Sequence, residues 1–275
     1  MTKDVNGMET KILKVDKLTV EIHSTRQAMG AAAGVAVAEK MHELLKRQDR
    51  VRMIFAAAPS QNEFLDSLCQ AKGIDWSRVV AFHMDDYLGL PDNAEQRFSS
   101  YLKEHLFNKV YPGQVNYLID SASSLTRKVD LATLSEAIEA TCGKYSRLLN
   151  EAPVDIICMG IGENGHIAFN DPPVADFEDP KLVKLVALEE RCRMQQVHDG
   201  CFSTLADVPT HALTLTIPNF TAAKWLYCMV PGPTKREAVR RTIREEISTN
   251  CPATILRRHS QARLYLDVDS AADIL

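Results

Sequence analysis

The 275-residue chain is 45% hydrophobic and 25% charged with only 12 Gly and 12 Pro, the make-up of a folded globular protein, so fibrous, collagenous and low-complexity classes are excluded. Its length suits one large α/β domain or two small ones and is ample to bury a core. With 32 Lys and Arg against 36 Asp and Glu, a formal charge of −4, it offers no overall basic field to a nucleic acid or an anionic membrane, and an anionic ligand must be met by a few local groups.

The first eleven residues, MTKDVNGMETK, form a short polar tail without the basic-then-apolar order of an export signal. No apolar run approaches the roughly 18 residues that span a bilayer, so neither export nor membrane insertion is expected. LTVEIH at 18–23 reads as a strand, and Ser24 with Gln27 forms a capping box for a long helix through about Lys46. Gly30 and Gly34 lie one turn apart on that helix, which predicts close packing against a sheet. The apolar run VRMIFAAA at 51–58 gives way to PSQNEFLDSLCQ, a turn and then a helix, and RVVAFHM at 78–84 gives way to the loop DDYLGLPDN. A helix over about 97–107, a strand VNYLID at 115–120 and a helix over about 131–149 precede VDIICMGIG at 154–162, which opens into a loop rich in Gly, Asn and Pro. Strands at 182–188, 212–217, 224–230 and 262–267 and helices near 189–197 and 235–246 complete the chain.

Strand and helix alternate throughout, with no internal repeat, composition break or flexible linker, which predicts residues 1–275 as a single domain. Its fold class is α/β, a doubly wound and mostly parallel Rossmann-like sheet with helices on both faces. The seven cysteines, at 69, 142, 158, 192, 201, 228 and 251, are odd in number and scattered, with no Cys-x-x-Cys pair and no metal-like spacing to His. They describe a reduced, cytoplasmic chain.

Four of the strands run directly into loops that carry reactive or anion-binding residue types. Ser60 follows the first, Asp85 and Asp86 the second, residues 164–171 the third, and Thr234 with Lys235 the fourth. Because the carboxyl ends of parallel strands share one edge, these segments are expected to converge on one pocket. GIGENG at 160–165 has the glycine spacing of a dinucleotide-binding turn, but such a turn opens into a helix, and here HIAFNDPP with Pro172 and Pro173 follows, so no nicotinamide cofactor is expected. His83 and Asp85 make two candidate metal ligands without a third, and no metal is expected either. The basic start of KREAVRRTIREE at 235–246 is balanced by Glu237, Glu245 and Glu246, the pattern of a solvated helix rather than a nucleic-acid patch.

FHMDDYLGLP at 82–91 and GENGHIAFNDPP at 162–173, in this order and at this separation, resemble the glucosamine-6-phosphate deaminase (isomerase) family, whose segments read approximately FNMDEYVGLP and GHIAFNEP. The resemblance runs from about the first helix to the last strand, and extends more distantly to the 6-phosphogluconolactonases, which lack HIAFN. It implies cofactor-independent isomerisation and deamination of an amino-sugar 6-phosphate to a ketose 6-phosphate and ammonia. Sugar-phosphate lactone hydrolysis and non-catalytic sugar-phosphate binding stand as alternatives. By position, Asp85 would be the carboxylate that moves a proton between the amine-bearing and anomeric carbons, and His166 the acid and base that opens the sugar ring. Asp171 would orient His166, with Asn164 beside it where many members have an aspartate. Ser60, Asp86, Gly165, Arg193 and Lys235 would contact substrate, the phosphate falling to Ser60, Lys235 and Arg193, with Arg191 a second candidate. The family's loop near TGGTP is Ala57-Ala58-Pro59-Ser60-Gln61 here, so backbone N–H groups have less part in holding a phosphate. The implied partner is a small-molecule sugar phosphate, with no nucleic acid and no membrane, and a homo-oligomer is left open.

Overall fold

Residues 51–55, 79–83, 156–159 and 225–230 are almost continuous in apolar side chains, the pattern of strands buried on both faces. The computed structural model, which describes residues 2–3, 9–127 and 130–275, places them at the centre of a nine-stranded sheet. The strands are β1 (Thr2–Lys3), β2 (Glu9–Val15), β3 (Leu18–His23), β4 (Val51–Phe55), β5 (Val79–His83), β6 (Asp85–Tyr87), β7 (Gln114–Asn116), β8 (Ile156–Met159), β9 (Val183–Ala187), β10 (His211–Leu215), β11 (Trp225–Val230) and β12 (Ala262–Asp267). The large sheet runs β1-β2-β3-β12-β11-β8-β4-β5-β7. From β3 to β7 every pairing is parallel, and β2 and β1 add an antiparallel edge beside β3.

Strand β2 lies partly in the stretch expected to be a polar tail. Its Leu13 and Val15 pack on the core while its lysines face outward, and pairing with β3 supplies the backbone hydrogen bonds. After β3 the chain lays β4, β5 and β7 outward in one direction and then returns with β8, β11 and β12 on the other side of β4. The winding reverses between β4 and β8, where the loops leaving the two strands diverge and leave a crevice.

Successive strand residues alternate between two cores. Ile54, Val80, Phe82, Ile157 and Met159 face the layer that holds helix Leu131–Asn150 with its Leu134, Ile138 and Tyr145. Met53, Phe55, Val79, Ala81, Ile156 and Cys158 face helices Arg26–Leu45 and Asn62–Gln70. Helix Arg26–Leu45 begins one residue later than its expected box, at Thr25, whose Oγ1 accepts the Ala28 N–H at 3.1 Å. Gly30 and Gly34 pack against the neighbouring helix rather than the sheet: a Cβ on either would run into Glu63 and Phe64 or into Ser67. The short interhelical distance fixes the start of helix Asn62–Gln70, and Arg26 strengthens it through Glu63 at 2.7 Å and the Pro59 carbonyl.

Two further elements differ from expectation. DDYLGLPDN begins as a strand, not a loop, because β6 pairs antiparallel with β10, which pairs in turn with β9, giving a second, three-stranded sheet. The helix expected over 97–107 is α-helical only at Phe98–Leu102 and continues as a π-helical turn over Lys103–Phe107. Among the described residues no helix is long and apolar enough to cross a membrane.

Candidate active site

The loops that leave β4, β5, β8 and β11 meet over the β4–β8 crevice. Ser60, Asp85, His166 and Lys235 line one cavity, closed by Phe98 and Phe169 and by Gln61 and Gln196. Of the residues expected to carry chemistry or contact substrate, these four are brought together.

Asp85 is held at the cavity by its backbone. Nε2 of His83 accepts the Leu118 N–H at 2.9 Å, which leaves the ring proton on Nδ1, 2.9 Å from the Asp85 carbonyl. Burial keeps this imidazole below its ordinary pKa against the pull of the Asp86 charge, so it is a neutral strut with both nitrogens engaged. The Asp85 carboxyl is 6% exposed, and its pKa is raised well above the usual carboxylate range, first by burial and then by the charge of Asp86. A carboxylate so placed is poised to accept a proton.

Asp86 does not reach the cavity. Adjacent strand residues point to opposite faces, and its Oδ1 accepts the N–H groups of Tyr87 at 3.0 Å and Phe98 at 3.2 Å while Oδ2 lies 3.3 Å from buried Arg97. Arg97 also holds Asp92 at 2.7 Å and the Ile119 carbonyl at 2.9 Å. Asp86 thus orients the start of helix Phe98–Leu102, and with it Phe98.

His166 hangs over the turn that follows β8. The Gly165 N–H donates to the Gly162 carbonyl at 3.0 Å, and Gly165 takes φ +85°, a conformation that glycine alone adopts at little cost. Gly165 faces Cys251 rather than the cavity, so its part is to shape the turn and not to touch a ligand. No helix opens at this turn; the chain continues into the bridge between Ile167 and Asn170. His166 Nδ1 stands 2.9 Å from Asp171 Oδ1, leaving Nε2 as the free ring nitrogen. Burial works to raise the Asp171 carboxyl, but the charge and contact of His166, with hydrogen bonds from Asn164 and the Glu189 N–H, outweigh it and hold the pKa below the usual value. Asp171 and Asn164 therefore stand behind His166 and not on the cavity wall.

The opposite end of the cavity suits an anion. Pro59–Gln61 forms a short 3-10 turn, and Gln61 Nε2 donates to Ser60 Oγ at 3.1 Å and to the Met229 carbonyl at 3.3 Å. Lys235, only 4% exposed, ends the turn Pro233–Lys235 and is, among the described residues, the one lysine or arginine on the cavity lining. Burial pushes its ammonium pKa down, against the pull of Asp199 and Glu163. Arg193, the expected phosphate arginine, is elsewhere: its Nη2 donates to the carbonyls of Leu205 at 2.7 Å and Val208 at 2.9 Å. Arg191 pairs with Glu237 at 2.8 Å at the surface. In their place Gln196 faces the cavity, a residue that no residue pattern in the sequence singles out.

Among the described residues, His166, Asp171 and Cys192 form the group of potential metal ligands whose donor atoms lie within 4.8 Å of one another. Burial, then the charge of Asp171, hold the Cys192 thiol pKa well above the ordinary value, and Asp171 Oδ1 faces His166 Nδ1 at 2.9 Å.

A family model described as glucosamine-6-phosphate isomerases/6-phosphogluconolactonase matches residues 24–266. A glucosamine-6-phosphate deaminase of Lysinibacillus sphaericus is 36% identical over 197 residues, covering 71% of this chain and 80% of the relative. One of Staphylococcus epidermidis is 32% identical over 213 residues, covering 77% and 82%. Among solved structures, a monomeric glucosamine-6-phosphate deaminase superimposes with a TM-score of 0.79 at 24% identity, covering 92% of this chain and 99% of that one. The 6-phosphogluconolactonase from Trypanosoma brucei gives 0.73 at 15%, covering 96% and 100%. At these identities the two structures speak to the fold alone.

Proposed function

The chain belongs to the family of glucosamine-6-phosphate isomerases and 6-phosphogluconolactonases, and on that premise we propose that it isomerises and deaminates an amino-sugar 6-phosphate to a ketose 6-phosphate and ammonia. The observation that carries this reading is the meeting of Asp85, His166 and Lys235 on one cavity. The whole chain acts as one such unit, and its reduced, scattered cysteines favour a cytoplasmic setting.

Lys235 and Ser60 hold the phosphate. His166, through Nε2, gives a proton to the ring oxygen as the anomeric hydroxyl loses one, and the sugar opens to its aldehyde. Asp85 removes the proton from the amine-bearing carbon C2, and the electron pair shifts through C1 to the carbonyl oxygen, which takes up a proton and leaves an enolamine. Return of the proton from Asp85 to C1 gives the protonated imine of the ketose and leaves Asp85 as the carboxylate. Water adds at C2 and ammonia departs, so one water is consumed and one ammonia released for each ketose phosphate formed. Phe98 and Phe169 cover the cavity and keep bulk water from the abstracted proton.

The test is to supply glucosamine 6-phosphate, glucosamine and 6-phosphogluconolactone to the purified protein and to measure ammonia, ketose phosphate and acid release. Ammonia and ketose phosphate in equal amounts from the first substrate support the reading. Acid release from the lactone without ammonia from the amino sugar assigns the lactonase chemistry instead, and neither product makes the protein a binder.

A further inference from the structure

Every polar hydrogen and the carbonyl oxygen of the Asn164 side chain are engaged. Its Oδ1 accepts the His166 N–H at 3.0 Å, and its Nδ2 donates to Asp171 Oδ1 at 2.9 Å and to Glu189 Oε2 at 2.6 Å. Glu189 immediately precedes helix Glu190–His198, and its own N–H reaches the other Asp171 oxygen, Oδ2, at 3.4 Å. Two carboxylates therefore converge on one NH2 group while a backbone N–H fixes the oxygen, which leaves the amide a single orientation. Asp171 Oδ1, the atom that receives the Asn164 hydrogen, is also the atom 2.9 Å from His166 Nδ1.

We propose that Glu189 is a positioning residue for the reaction: acting through Asn164, it fixes the Asp171 carboxylate against His166, and it makes an amide rather than a carboxylate the required side chain at position 164. Only the activity readout rests on the deaminase reading; the geometry does not. An aspartate at 164 would set three carboxylates within hydrogen-bond distance with no hydrogen among them. Unless one of them takes a proton the group must spread, which releases Asp171 from its place. A glutamine at 189 would return the donor of the 164–189 contact and leave a single pair of carboxylates, at 164 and 171, to share one proton.

The experiment compares wild type, Asn164→Asp, Glu189→Gln and the double variant. Asn164→Asp is expected to lower kcat at pH 8 by at least about tenfold with KM altered by less than about threefold. The ratio of its kcat to that of wild type should rise as pH falls, because a bound proton replaces the lost amide hydrogen. Glu189→Gln keeps an acceptor for Asn164 and should lose about two- to fivefold, and the double variant should recover at least about threefold over Asn164→Asp. Independently of substrate, the ring 15N shifts of His166 should move in Asn164→Asp and move back toward wild type in the double variant. A double variant no better than Asn164→Asp in kcat and in 15N shifts overturns the proposal. If Asn164→Asp does not fold, recovery of folded protein in the double variant supports it and failure there overturns it. A wild type that releases no ammonia removes the deaminase reading, while the 15N comparison still decides the role of Glu189.

Discussion

The His166 imidazole lies directly on Gly162, with no room between them for one more carbon: a Cβ there would overlap Cε1, Nε2 and Nδ1 of the ring. Gly162 also donates its N–H to the His166 carbonyl at 3.0 Å, so backbone and ring are set by the same residue. Gly162→Ala should displace the ring and lower kcat by about 100-fold, since a shift of about 1 Å at a reacting group costs on that order. The folded state should persist, because the change sits at a cavity wall. Steady-state kinetics with circular dichroism check this, and a Gly162→Ala enzyme with wild-type kcat would remove His166 from ring opening.

Asp85 links activity and stability with opposite signs. Its pKa is raised by burial and by Asp86, so the folded protein binds its proton more tightly than the unfolded chain does. That contribution favours folding below the unfolded value and is lost as pH rises through the folded one. Asp85→Asn should therefore raise the urea midpoint at pH 8, by an amount that narrows toward pH 5, while abolishing turnover at every pH. For wild type, kcat/KM should fall on the acid side with a midpoint above the ordinary carboxylate range. A midpoint gain in Asp85→Asn that is equal at both pH values would contradict the assignment.

Lys235 is the mirror case. Burial depresses its pKa, so the free site loses its cation as pH rises, and a bound phosphate draws a proton back. Inorganic phosphate should bind with net proton uptake on the alkaline side, visible in calorimetry as a dependence of heat on buffer ionisation. Lys235→Ala should cost at least about tenfold in kcat/KM on a phosphorylated substrate and little on its unphosphorylated counterpart. Equal losses on both would show that the lysine holds something other than the phosphate.

The helix pair that carries the Ser60 loop offers a test of packing alone. A methyl at Gly30 would press on the backbone of Glu63 and Phe64. Gly30→Ala should destabilise by about 1 to 3 kcal/mol despite the better helix propensity of alanine, as overpacking outweighs it. Thermal denaturation checks it, and an unchanged Tm would mean that the helices part freely.

The crevice was legible in the sequence because strands buried on both faces print as apolar runs, and the loops after 51–55, 79–83, 156–159 and 225–230 carry their own polar signatures. Ser60, Asp85, Lys235 and the loop 164–171 stand out on that ground, and the family resemblance picks His166 out of that loop. The residue pattern by itself does not separate Asp85 from Asp86, which only the family resemblance tells apart; the pairing of β6 with β10 decides which carboxylate faces the cavity, and it joins segments far apart in the chain. Gln196 and Arg193 were exchanged for a related reason. The buried face of helix Glu190–His198 is Cys192, Gln195 and Gln196, two of them polar, so no apolar periodicity marks it, and the alignment with the family's phosphate-binding arginine points to Arg193 instead. Glu189 and the strut role of His83, which the sequence offers only as a metal-ligand candidate, are not legible because these residues act on Asn164 and on a backbone carbonyl rather than on substrate, and short motifs carry no trace of such contacts.

The central claim, that Asp85 moves one proton from C2 to C1 of an amino-sugar 6-phosphate, is tested most directly by turnover of glucosamine 6-phosphate deuterated at C2 in ordinary water. At 6% exposure the carboxyl exchanges slowly with solvent relative to an open site, so a fraction of the deuterium should appear at C1 of the ketose phosphate, and Asp85→Asn should form no product. Ammonia and ketose phosphate released by Asp85→Asn at the wild-type rate, with no deuterium at C1 from either protein, would contradict the account.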